Sequence, residues 1–110
     1  MSQPLERRII EGARALIASP QAWTQGEFAR DASGEPVNWR SPKAVQFCLW
    51  GALNRVAYEM TGDRYRSVGL ADHAAAALRA GVPSLSGVND RGTHAEVLAL
   101  FDNYLRKQVA

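Results

Sequence analysis

The chain has one cysteine, Cys48, in 110 residues. That excludes an internal disulfide and any multi-cysteine zinc site. A lone thiol suits a reducing cytoplasm, where the protein is expected to work. Histidine is almost as scarce, with only His73 and His94. No histidine pair sits at i, i+4 with a third ligand nearby, so no metal is expected. No apolar stretch approaches the roughly 18 residues of a membrane span. The opening MSQPLERRII is polar and charged, unlike a secretory leader. Gly69, Gly87 and Gly92 fit neither the dinucleotide nor the Walker spacing, so no phosphate loop and no cofactor are expected. No pair of acids stands out for glycosidase-type work.

Charge of one sign is also missing as a block. Thirteen basic and eleven acidic side chains nearly balance, and the arginines are scattered. Nucleic acid is permitted by charge but not indicated. The one place that invites it is Arg64-Tyr65-Arg66, where a cation beside an aromatic could hold a phosphate and stack a base. That would make the protein a weak nucleic-acid binder at most.

What is present is the mix of an ordinary globular domain, 46% hydrophobic and 22% charged. The length fits one domain over residues 1–110. The pattern predicts a mainly α (α+β) fold, a four-helix bundle-like domain with one small β-hairpin between the first and second helices. The first helix runs from about Pro4 to Ala18, with Leu5, Ile9, Ala13, Leu16 and Ile17 on one face. The hairpin is expected within WTQGEFARDASGEPVNW, with Phe28–Arg30 and Pro36–Asn38 as arms. The second helix is expected from about Pro42 to Thr61, capped by Ser41 and stopped by Gly62. It is apolar on nearly every side and therefore central. Gly51 inside it implies close approach by another backbone. The third helix spans about Ser67 to Ala80, and the fourth about His94 to Gln108. Between them VPSLSGVNDRGT reads as a long irregular loop.

The stretch NDRGTHAEV holds the clearest local signals. Thr93 and Glu96 form a T-x-x-E capping box. Asn89 to Gly92 fits a type I turn, and Asp90 places an anion near the start of the next helix. His94 is not needed for any of this. Its chemistry could serve a thiol: Cys48 as nucleophile, His94 as base, and Asn89 or Asp90 as the group orienting the ring. Cys48 is expected about two turns inside an apolar helix, where a thiol is usually inert. An enzyme is thus the lesser expectation, a cysteine-dependent hydrolase or transferase. The greater one is a small cytoplasmic accessory module that binds a protein or a small molecule. Its surface would join the hairpin to the loop before the fourth helix, with Trp23, Trp39, Arg91 and His94 as contacts. Oligomeric state is left open.

WTQGEFARD, FCLWGAL and NDRGTHAEVLALFD together resemble a family of short bacterial and phage proteins catalogued as a domain of unknown function. The likeness spans about Ala15 to Arg106. It implies a soluble cytoplasmic protein from a prophage or accessory region, with no activity attached.

Overall fold

A computed structural model describes residues 4–79 and 81–107. The expected helix ends at Ala80 and Gln108 lie outside the described residues. Five helices and one two-stranded antiparallel sheet make up the rest: α1 (Leu5–Leu16), β1 (Ala29–Arg30), β2 (Gln46–Phe47), α2 (Leu49–Thr61), α3 (Arg64–Leu78), α4 (Leu85–Arg91) and α5 (His94–Lys107). A 3₁₀ turn at Pro20–Ala22 follows α1. The fold is mainly α with its hairpin between α1 and α2.

The apolar positions explain the packing. Ile9, Ile10, Ala13 and Ile17 of the α1 segment are fully buried. They meet Leu49, Leu53, Val56 and Ala57 of α2 and the alanines of α3 in one core. Helix α2 contacts both α1 and α3 and is the central helix its composition implies. Val97, Phe101 and Tyr104 of α5 close the core. Four polar contacts pin α5 against the α1 segment. Arg14 grips Asp102 with two bonds, at 2.6 and 3.2 Å. Tyr104 donates to Glu6, Arg7 donates to the Leu105 carbonyl, and His94 bonds the Ile17 carbonyl.

Three boundaries depart from the sequence reading. The second helix starts at Leu49, not Pro42. Ser41 to Ala44 form a turn, and Gln46–Phe47 pair with β1 in the register Ala29↔Phe47, Arg30↔Gln46. Pro36, on the expected second arm, makes only an isolated bridge with Arg30. Short stretches with mixed apolar and polar residues fit strand and helix alike, and Val45-Gln46-Phe47 is such a stretch. The third helix starts three residues earlier than expected. Asp63 caps it by accepting from the backbone N–H groups of Tyr65 and Arg66, so Arg64 to Arg66 form its first turn. Asp63, which is not among the site residues that the sequence suggests, is a helix cap. The expected loop before the fourth helix contains α4, capped by Ser84 through Gly87 N–H.

Gly51 fulfils its expectation. A Cβ there would lie 1.9 Å from the Phe28 carbonyl oxygen, so the loop entering β1 rests on the backbone of α2. Gly62 ends α2 in the left-handed region at φ 70°. The capping box at α5 is also formed: Thr93 N–H donates to Glu96 at 2.8 Å and Glu96 N–H to the Thr93 hydroxyl at 3.1 Å.

Candidate functional site

The site is built around Asn89. It is 1% exposed, in the last turn of α4, and not in a type I turn. Its Oδ1 accepts from the Trp23 indole at 2.7 Å and from Leu49 N–H at 3.0 Å. Its Nδ2 donates to the Thr24 carbonyl at 3.1 Å and to Asp90 Oδ1 at 2.9 Å. Two donors converge on one atom, which must therefore be oxygen; the amide orientation follows. All four hydrogen-bonding positions of the amide are used. Leu49 N–H belongs to the first turn of α2, where no intrahelical acceptor exists.

The neighbours extend this junction. Gln25 donates to the carbonyls of Asn89 and Gly92. Asp90 accepts from Gly26 N–H at 3.0 Å. Asp90 was expected at the favourable start of a helix. It stands instead in the last turn of α4, where a carboxylate gains nothing from the helix dipole and is held by these two donors. All three stretches quoted for the family likeness thus meet here: the Trp23–Gly26 loop, the start of α2, and the end of α4.

Cys48 is not two turns inside a helix. It is the N-cap of α2, and its sulfur accepts from Gly51 N–H at 3.3 Å. It is buried, and burial pushes its pKa up, so the thiol stays protonated near neutral pH. Cys48, Asn89 and Asp90 line one cleft of about 190 Å³ with Glu27, Phe28 and Trp50. His94 does not line it. Its Nε2 lies 2.7 Å from the Ile17 carbonyl, which can only accept, so that nitrogen carries the proton. Its ring packs against Trp23 at 5.5 Å between centroids. The structure therefore brings Cys48, Asn89 and Asp90 together and holds His94 in a separate contact.

A second cleft of about 420 Å³ adjoins the first and shares Phe28, Trp50 and Ser86 with it. Trp39, Asn54, Val68 and Asp72 complete its walls. Phe28 is 55% exposed and Val68 44%, so the joined clefts form an apolar groove open to solvent. Trp39 is half-buried, edge-on to Tyr58 at 5.9 Å. Trp23 is half-buried as well and is committed to Asn89. Arg91 is exposed and folds its guanidinium back over Gly87. Trp50, Asn54, Phe28 and Val68 are not among the site residues that the sequence suggests. The available signal was Asn54 itself, a polar residue one turn after Trp50 in the apolar first half of the helix.

Elsewhere, Arg64 lies over the ring of its own neighbour Tyr65 at 4.7 Å. His73 is exposed and stands 3.0 Å from Glu6. Among the described residues, no group of three or more His, Cys, Asp or Glu side chains is placed to hold a metal ion. Among the same residues, no helix is long and apolar enough to cross a membrane.

Fold and site together define a small helical protein whose hairpin is locked to the bundle by a buried amide, beside an open aromatic groove. The chain belongs to a family of unknown function (DUF6197), whose family model matches residues 1–105. Comparison with curated proteins and with solved structures returns no match.

Proposed function

We propose that this protein is a cytoplasmic accessory module, of bacterial or phage origin, that binds a partner polypeptide in the groove between the hairpin, α2 and α3. One observation carries the reading. Phe28 and Val68 expose large apolar surfaces beside Trp39 and Trp50, on a frame made rigid by the Asn89 junction. Contiguous exposed aromatic and aliphatic surface rimmed by polar groups marks interaction sites, and tryptophan is a frequent anchor in them. The free thiol supports the cytoplasmic setting. A thiol-enzyme reading has less support, because Cys48 is a buried cap and the Nε2 of His94 is occupied.

The test is capture of binding proteins from an extract of producing cells, followed by titration of the purified partner. Phe28→Ala should weaken that affinity by about tenfold or more, whereas Arg8→Ala, on the exposed face of α1, should leave it unchanged. Equal affinity for wild type and Phe28→Ala would remove the groove from the interaction.

A further inference from the structure

The groove has a chemical bias beyond its apolar walls. The two clefts together carry Glu27, Asp90 and Asp72, and neither is lined by a lysine, an arginine or a histidine. The second cleft holds one more polar group, Asn54, which is 7% exposed. Asn54 Nδ2 donates to the Trp50 carbonyl at 2.9 Å, while its Oδ1 is buried with no hydrogen-bond partner among the described residues. Flipping the amide would set oxygen against oxygen, so the unpaired atom is the acceptor. A buried acceptor without a donor is an unusual feature of a native fold. Arg40 lies 6.0 Å from the Trp39 and Tyr58 rings, and its Nε is likewise buried without a partner among the described residues, but Arg40 lines neither cleft and makes no bond to Asn54. The second cleft thus combines an unpaired acceptor, one carboxylate from Asp72, and the indoles of Trp39 and Trp50.

Resting on the partner-binding reading above, we infer that the second cleft receives an arginine side chain of the partner polypeptide. A guanidinium is planar and stacks on indole, and its stem can lie along apolar surface. It offers five N–H donors in a rigid fork, which can serve Asn54 and Asp72 at once. Lysine carries the charge without the plane or the fork. An acidic segment would meet Glu27, Asp90 and Asp72 along the groove.

The experiment uses the full ¹⁵N-labelled chain and four blocked tripeptides, Ala-X-Ala with X arginine, citrulline, lysine or glutamate. The indole N–H signals of Trp39 and Trp50 and the side-chain amide of Asn54 are followed. The arginine peptide should shift them saturably, and citrulline, its neutral isostere, should bind about tenfold more weakly or worse. Asp72→Asn should reduce arginine binding by a similar factor and leave citrulline unaffected; Asp72 is exposed, and its side chain makes no hydrogen bond among the described residues. Equal binding of arginine and citrulline, equal binding of lysine, or silence of the three reporters would each overturn the assignment. If that happens while Phe28→Ala still loses the purified partner, the groove stands and only its arginine falls. If Phe28→Ala also keeps the partner, the groove reading falls with it.

Discussion

Trp23 and Asn89, 66 positions apart in the chain, are joined by a 2.7 Å hydrogen bond between the indole N–H and the amide oxygen. The same oxygen takes the first free N–H of α2, so one side chain ties the hairpin entry, the central helix and α4. Asn89→Ala would leave those two donors without their acceptor and the Thr24 carbonyl without its donor. The loss should be roughly 3–5 kcal/mol, measurable as a lower urea midpoint at unchanged slope. A loss below about 1 kcal/mol would mean that solvent takes over these bonds.

Two glycines should respond in opposite directions. Gly51→Ala drives a methyl to 1.9 Å from the Phe28 carbonyl and should destabilise by about 1–3 kcal/mol or more. Gly69→Ala, inside α3 with nothing within 4 Å of the new methyl, should stabilise by about 0.5–1 kcal/mol. Thermal melts of the two variants decide this, and a shared sign would contradict the packing.

Cys48 should resist chemistry in the native state. Its sulfur is buried and its pKa is raised chiefly by that burial. Iodoacetamide should label the unfolded chain in urea much faster than the folded one at the same pH. Equal rates would restore the thiol as a candidate nucleophile and reopen the enzymatic reading.

The α1–α5 contact should make stability depend on pH at both extremes. Asp102 sits below the usual carboxylate range, chiefly because Arg14 donates to it. A depressed acid gives stability that is complete above its unfolded pKa and is lost as pH falls through the folded one. Tyr104 is pushed up to about 12, first by burial and then by its bond to Glu6. A raised pKa gives stability that is complete below the unfolded value near 10 and is lost as pH rises toward 12. Ultraviolet titration should show one of the three tyrosines ionising last. Tyr104→Phe should remove that late step, and its persistence would point to another tyrosine.

Much of this architecture was legible in the residues, and the failures share a cause. The capping box of Thr93 and Glu96, the stop at Gly62 and the backbone contact at Gly51 are local or nearly local effects, and each was readable. The pairing of Gln46–Phe47 with Ala29–Arg30 was not, because a short mixed stretch preceding a helix looks like the helix itself. Helix α4 was missed because seven residues containing Gly87 show too little periodicity. The candidate site was legible only in pieces. The sequence groups Cys48, Asn89 and Asp90 with His94 as one candidate site, but their roles depend on partners distant in sequence. Burial of Asn89 requires Trp23, Thr24 and Leu49, none of which its own neighbourhood specifies. Trp50 and Asn54 were absorbed into an apolar helix, and only the three-dimensional packing shows which edge of that helix is left open.

The grip of Arg14 on Asp102 has a temporal side. During synthesis the first helix leaves the ribosome long before the last, yet Arg14 and Ile17 find their side-chain partners only on α5. The nascent chain must therefore carry the buried isoleucines of its first helix unsheltered on that side until residues 97 to 104 have emerged. Contacts that wait this long slow folding and leave apolar surface open to wrong partners. Fusion or truncation that delays α5 should for that reason harm yield more than the same change at the turn joining α2 to α3.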